Sequence, residues 1–201
     1  GTDTFGGSQD DEFSERRTGL SVNFNRPLTD TTRAGLGITA QSIKTINLQE
    51  GVSSTEFLQQ DGDLAYLSLN YDIDTRRPIV EPFYGRFIRL QLEPGFSSIT
   101  KIGGSVAADT DVLGKSTFLR SSIEYRQYWS KPLKQGDAFD KPRPVVAFRA
   151  KYGTITGKVP FYEQFFLGGS SSLRGYDNQR FWGSQTLMTT LEYRYPLQKS
   201  F

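Results

Sequence analysis

The sequence has 201 residues, of which 36% are hydrophobic and 13% aromatic, and it contains 20 glycines but no cysteine and no histidine. Without these two residue types there is no disulfide framework, no thiolate site and no imidazole base or ligand, so we expect no metal, no cofactor and no enzymatic activity. The formal net charge of +2 mixes 24 basic and 22 acidic residues along the chain, which argues against nucleic-acid binding because that needs a clustered basic face.

Seven stretches of the chain alternate apolar and polar residues with a period of two, the pattern of a strand with two different faces. No run of about 18 apolar residues accompanies them, so the chain has no candidate membrane-spanning helix. We therefore predict an all-β fold of about seven antiparallel strands, each about 10 to 13 residues long. In chain order, the apolar faces are formed by Leu20, Val22 and Phe24; Leu36, Ile38 and Ala40; Ala65, Leu67, Leu69, Tyr71 and Ile73; Ile88, Leu90 and Leu92; Leu119, Ile123, Tyr125 and Trp129; Val146, Phe148, Ala150 and Tyr152; and Leu187, Leu191, Tyr193 and Tyr195.

The connections between these strands alternate between shorter and longer segments. An up-and-down meander would place the shorter joins at one end and the longer joins at the other, as in outer-membrane barrels. A soluble β-sandwich is the alternative for such alternation, but strand length, aromatic residues near strand ends and charges in the middle of the polar faces favour a transmembrane barrel with a wet lumen. The shorter, proline-bearing joins are Arg26–Thr32, Thr75–Gly85 and Ser130–Pro144, and the longer joins are Ser42–Gly62, Gly95–Ser116 and Phe165–Gly183.

Seven strands cannot form a whole membrane barrel, because closure normally takes an even number and an open edge would leave backbone groups unpaired in lipid. Phe201 resembles the terminal aromatic of bacterial barrels. Counting back from it by two reaches Lys199 and Leu197, and Pro196 has already interrupted the strand. We therefore interpret residues 1–201 as an internal portion of a larger barrel.

The last long connection contains an unusual glycine-rich and aromatic segment, FFLGGSSSLRGYDNQRFWG. With the preceding PFYEQ and the strand SQTLMTTLEYRYP, it resembles the BamA-type family of outer-membrane assembly and translocation barrels, the bacterial surface antigen superfamily. The resemblance rests on Phe161–Phe165, Gly168–Gly169 and Leu173–Tyr176, while Thr32–Ile38 and Asn70–Gly95 are similar to the family's strand seven and its eighth-to-ninth strand hairpin. It implies strands six to twelve of a sixteen-stranded barrel.

The resemblance also implies a role for the loop at residues 158–183, which in the family folds into the barrel lumen. Arg174 would pair there with Glu192 and with an acid on the following strand, and a guanidinium suits that role because it can donate two parallel hydrogen bonds. Gly175 would let the backbone lie close to the wall. The alternative is a solvated turn arginine and a pore-lining carboxylate. The remaining predicted site residues are the motif residues Leu173, Tyr176, Gly168 and Gly169 and the loop anchors Phe161, Phe165 and Phe166.

The implied function is insertion of β-barrel proteins into the outer membrane, or passage of polypeptides across it, by binding and strand exchange. Its partners would be the bilayer, unfolded precursors and periplasmic substrate-binding domains of the same chain. The alternatives are a diffusion porin and the transporter of a two-partner secretion system, and plastid precursor import also uses similar barrels. The loop sequence resembles cyanobacterial and plastid members more than proteobacterial ones. We therefore expect the outer membrane of a Gram-negative-type envelope of cyanobacterial type, with a plastid envelope less favoured.

Overall fold

The computed structural model describes residues 2–5, 13–46, 58–104, 110–132, 134–135 and 142–196, so Leu197, Lys199 and Phe201 lie outside the described residues. The described chain is almost entirely extended. Its strands are β1 (Thr2–Phe5), β2 (Phe13–Pro27), β3 (Thr32–Ile46), β4 (Leu58–Asp74), β5 (Gly85–Gly104), β6 (Gly114–Ser130), β7 (Val145–Gly157), β8 (Phe165–Leu167), β9 (Phe181–Gly183) and β10 (Gln185–Arg194), and two 3₁₀ turns lie at Thr110–Val112 and Phe161–Glu163.

Eight of these strands form one sheet in the order β1-β2-β3-β4-β5-β6-β7-β10, and every neighbouring pair is antiparallel. The strands β8 and β9 form a separate two-stranded ladder. The predicted seven-strand meander is therefore confirmed, with the four-residue β1 added at one edge. No helix in the described parts of the chain is long and apolar enough to span a membrane.

The strands β2 to β6 have 15 to 20 residues and are longer than the 10 to 13 predicted, whereas β7 and β10, with 13 and 10 residues, have the predicted length. β5 has 20 residues and continues to Gly104, into a segment that we expected to be a connection. The ladder continues because Gly95 lies opposite Phe118, whose ring covers the glycine: a Cβ on Gly95 would lie 2.2 Å from the ring atom Cζ. An aromatic ring that covers the glycine opposite it on the neighbouring strand stabilises the pairing of the two strands. Glycine by itself would weaken a strand at that position.

The two faces of the sheet differ in composition and in what covers them. The outer face is apolar and exposed, as Val22 (62%), Ile38 (59%) and Leu191 (73%) illustrate. The inner face is polar and charged, and residues 158–166 pack on it. The predicted lipid-facing residues Leu67, Leu69, Ile123, Tyr125, Phe148, Leu191 and Tyr193 all lie on the outer face, as the strand register shows.

Charged residues of the inner face neutralise one another across strands. The Arg89 guanidinium donates to both carboxylate oxygens of Asp72 at 2.8 and 2.7 Å, from directly opposite positions on β5 and β4. Farther along the sheet, Arg126 and Arg149 each donate from Nε to the same oxygen of Glu124 at 2.7 Å. Such pairs suit a hydrated interior and would be costly on a surface that faces hydrocarbon.

We predict that Val22→Arg in the full-length protein reduces the folded, membrane-inserted fraction, because a guanidinium near the bilayer midplane costs about 2 to 4 kcal/mol. The neighbouring change Asn23→Arg is the matched control, because Asn23 lies on the inner face and is exposed. Heat-modifiable migration after folding into lipid vesicles measures the inserted fraction. Equal insertion of the two variants would contradict the assignment of the faces.

Candidate functional site

The loop that follows β7 begins with a buried segment, which we call the root and define as residues 159–166. Val159, Phe161 and Tyr162 are 8%, 9% and 4% exposed and pack with inner-face residues of five strands. The backbone N–H of Phe161 donates to Oε1 of Gln60 on β4 at 2.8 Å, which satisfies a buried polar group. The root is therefore part of the hydrophobic core. The strand residues of that core are Ile43, Leu64, Ile99, Phe118 and Ile155.

Glu163 is the charged residue of the root, and its side chain is only 5% exposed. Arg120 on β6 donates from Nη1 to Glu163 Oε2 at 2.8 Å and to the Glu163 backbone oxygen at 3.1 Å. The same guanidinium donates from Nε to Oε2 of Glu93, the residue directly opposite on β5. Arg17 on β2 approaches Glu163 Oε1 at 3.5 Å. The carboxylate of the root thus joins an ion-pair network that reaches three strands.

Burial raises the pKa of the Glu163 carboxyl above its ordinary value, and the nearby guanidinium groups of Arg120 and then Arg17 act in the opposite direction. A buried carboxylate is stable only when charge-assisted hydrogen bonds replace its lost hydration. The contacts to the two arginines provide that replacement. Removing Arg120 would leave the buried Glu163 carboxylate with only the longer contact to Arg17 at 3.5 Å, whereas removing the charge of Glu163 would leave Arg120 paired with Glu93.

The aromatic residues predicted as loop anchors all lie in the root. Phe161 is buried and meets Phe166 edge to face, with ring centroids 6.3 Å apart. Phe165 packs over Gly153 on the inner face of β7, where a Cβ would lie 2.4 Å from the ring atom Cζ. The missing side chain at Gly153 therefore makes the space that the ring of Phe165 occupies.

The strand β8, whose first two residues also belong to the root, pairs with β9 in a short stem. The stem carries a turn-rich segment, which we call the tip and define as residues 168–180. Gly168 and Gly169 have φ values of +130° and +88°. A Cβ on Gly168 would lie 2.1 Å from the backbone oxygen of Asp177, so both conformation and space require glycine at 168, and conformation favours it at 169. The tip has its own hydrogen bonds, including Gly169 N–H to the Tyr176 oxygen at 3.1 Å and Ser172 Oγ to the Gly168 oxygen at 2.9 Å.

The expected close approach of Gly175 to the barrel wall stays a prediction outside the part of the chain that the structure describes. Nothing there lies within 4 Å of a Cβ placed on Gly175. The residue instead has a φ of +90°, in the left-handed region that favours glycine. Its role is therefore to turn the chain after Arg174, within a tip that also leaves Tyr176 55% exposed against the ring of Phe181.

Arg174 and Glu192 line the same cavity, of about 710 Å³, between the tip and the inner face of β6, β7 and β10. Arg174 is exposed. Glu192 accepts a hydrogen bond from Arg194 Nη2 at 2.8 Å, and the two side chains are 40% and 46% exposed. Among the described residues Arg174 forms no ion pair within 4.0 Å, so its pairing with Glu192 or with an acid on a following strand stays a prediction.

Sequence reasoning did not select the residues that hold the root. In the sequence, Glu163 is one residue of the loop motif with no predicted role. Arg120 and Glu93 are charged residues on the predicted polar faces of two strands. Arg17 and Gln60 lie 146 and 101 positions from their root partners. The sequence feature that could have predicted this ion pair is an acidic residue, Glu163, within an aromatic motif, together with a basic residue, Arg120, in the middle of a strand.

The fold and site together define part of an outer-membrane β-barrel whose inner wall carries a packed, inward-folding loop. Residues 6–201 match the family model described as the Omp85 superfamily domain, and the chain belongs to that superfamily. It is also similar to the outer membrane protein assembly factor BamA of Nitratidesulfovibrio vulgaris, with 21% identity over 174 residues. That alignment covers 84% of this chain and 19% of the relative, so the chain spans about a fifth of the relative's length.

We predict that Gly153→Val displaces Phe165 and loosens the root by about 1 to 3 kcal/mol, the usual cost of overpacking a filled site. Limited proteolysis of the full-length protein in membranes should then cleave within residues 158–183 faster than in the parent. The control is Gly183→Ala, because the nearest atom to a Cβ there is at 3.6 Å and no left-handed φ is involved. Parental cleavage in Gly153→Val would show that the ring does not depend on this space.

Proposed function

We propose that this chain is part of an outer-membrane barrel that inserts β-barrel proteins into the membrane or passes polypeptides across it. The observation that carries the proposal is the loop, which buries its root on the inner wall and holds its tip over a cavity lined by charged residues. The chemistry is non-covalent: precursor strands bind, exchange hydrogen bonds and leave. The membership of the Omp85 superfamily and the similarity to a BamA support this class of activity.

A diffusion porin is less well supported by the inner wall. Porins keep a polar, water-filled interior. Here the loop-bearing end of the inner face is filled by a hydrophobic core to which Phe161 and Tyr162 of the root contribute. A loop integrated into such a core is a structural part of the wall, whereas a selectivity constriction requires only charged groups at the edge of an open channel.

Within this function Arg174 braces the tip against the wall, by pairing with Glu192 or with a carboxylate on the next strand of the barrel. Support comes from the shared cavity and from the motif Leu173–Tyr176, which fixes where Arg174 projects from the tip. Gly168 and Gly169 allow the tip to close on itself beside this site.

The proposed partners are the outer-membrane bilayer, unfolded precursor polypeptides and periplasmic substrate-binding domains of the same protein. The bilayer is supported by the apolar outer face of the sheet. We also propose that residues 1–201 correspond to strands six to twelve of a sixteen-stranded barrel, and that the source is a cyanobacterial-type envelope. Two-partner secretion remains the second candidate, because export of a passenger uses a similar barrel and loop.

Arg174→Ala in the full-length protein is expected to lower assembly or transport by up to about fivefold, since an ion pair between exposed or partly exposed groups is worth up to about 1 kcal/mol. Arg174→Lys should recover only part of this activity, because an ammonium cannot reproduce the planar fork. Arg180→Ala is the control, since Arg180 is also exposed in the tip but lies outside the motif.

The measurement is the amount of a model β-barrel substrate that becomes folded in proteoliposomes containing each variant. Translocation of a passenger polypeptide is assayed in parallel, because it separates secretion from insertion. Activity of Arg174→Ala equal to that of Arg180→Ala would contradict the brace. Discrete solute conductance without either polypeptide activity would favour the porin.

A further inference from the structure

We infer that Glu163, acting through Arg120, is the positioning residue that holds the loop on the inner wall, and that Arg174 acts on a loop already held in place. The inference rests on the proposed function for the role of the loop, but its physical claim concerns the anchor alone. It starts from a contrast: Glu163 is 5% exposed and paired with two arginines, whereas Arg174 is exposed at the tip.

The anchor engages strands that are far apart in the sheet. Arg17 lies on β2 and Arg120 on β6, with β3, β4 and β5 between them. At about 4.8 Å per strand, four steps along a flat sheet would separate them by about 19 Å. Both guanidinium groups nevertheless contact the one carboxylate of Glu163, at 3.5 and 2.8 Å. The anchor therefore joins strands on both sides of the root through one carboxylate, and it links the position of the loop to the arrangement of those strands.

The contacts to Arg120 fix both the backbone and the side chain of the root. One nitrogen, Nη1, donates to the Glu163 carboxylate and to its backbone oxygen, while Nε remains bound to Glu93. Ser68 and Gln91 in turn donate to the other oxygen of Glu93, at 3.1 and 2.7 Å. Arg120 remains paired with Glu93 when the charge on Glu163 is removed. The strands of the wall can therefore stay in place while the root is released.

The tip is not needed for this anchor. The ladder between β8 and β9 separates it from the root, and its hydrogen bonds are internal, from Gly169 to Tyr176 and from Ser172 to Gly168. Root and tip are thus two units connected by the stem. Their separation allows the position of the loop and the chemistry of Arg174 to be tested independently.

The experiment uses full-length protein in proteoliposomes and a cysteine reporter in the root. Val159→Cys places a thiol at a position that is 8% exposed, in a segment that has no natural cysteine. Maleimide labelling of this root thiol then reports release of the root, and Ser171→Cys in the exposed tip gives the reference rate. Heat-modifiable migration shows in every case that the barrel is folded.

Glu163→Gln keeps the shape of the side chain but removes its charge, and we expect the labelling rate of the root thiol to rise about tenfold in folded protein. Arg120→Lys should give an intermediate increase, because it keeps the charge and loses the fork. Glu192→Gln is the matched control and should label at the parental rate, as should Arg174→Ala. A merely structural role for Glu163 would change the folded fraction without changing labelling of the folded barrels.

Parental labelling of folded Glu163→Gln would overturn the inference, and so would an equal increase in Arg174→Ala. If Glu163→Gln does not fold, Arg17→Gln decides the matter, because it removes the ion pair from β2 to Glu163 and the cation–π contact of Arg17 with Tyr162 while Arg120 stays in place: unchanged labelling there overturns the anchor, and an increase supports it. An increase with full substrate assembly would support the anchor and count against the proposed function of the loop.

Discussion

Strand register is the constraint on which the other features of this protein depend. Because side chains alternate along a strand, a slip of one residue moves every side chain to the other face. In the observed register Glu93 lies opposite Arg120 on the inner face, while the adjacent Leu119 lies on the outer face. The slipped pairing would turn Arg120 towards lipid, at a cost of about 2 to 4 kcal/mol, and would leave Glu163 without its partner. The same register therefore makes both the membrane surface and the anchor.

Several charges of the inner face are shared between more than two residues, beside isolated pairs such as Arg89 with Asp72. Glu124 accepts from two arginines, and Arg120 donates to two carboxylates. Buried ions repay their desolvation only when several good hydrogen bonds are formed, so sharing is what makes these partly buried groups tolerable. It also makes the arrangement specific, since Glu124 joins β6 to β7 through Arg149, and Arg120 joins β6 to β5 and to the loop. We expect the curvature of the wall to be determined as much by this network as by the backbone ladder.

Periodicity predicted the seven long strands and their faces because both depend on neighbours in sequence. Strand ends were harder: Gly95 marked a break in the pattern, but the ring of Phe118 on the next strand kept the ladder intact. The anchor was harder still to predict, since Arg17 and Glu163 are 146 positions apart in the sequence and meet only in the folded chain. The loop motif predicted Arg174 as the bracing residue, but Arg174 forms no ion pair within 4.0 Å among the described residues. Glu163, earlier in the same loop, is buried and forms the ion pairs with Arg120 and Arg17.

The division of the loop into root and tip gives each part a different physical task. A root packed into a hydrophobic core resists displacement. Moving it would expose Phe161 and Tyr162 to water and would separate Glu163 from its arginine partners. A tip held by a short stem and its own hydrogen bonds can change its partners without that cost. A barrel that handles polypeptides must keep its inner wall intact while contacts near the substrate form and break. Fixing the loop at Glu163 and leaving Arg174 exposed satisfies both requirements in one connection.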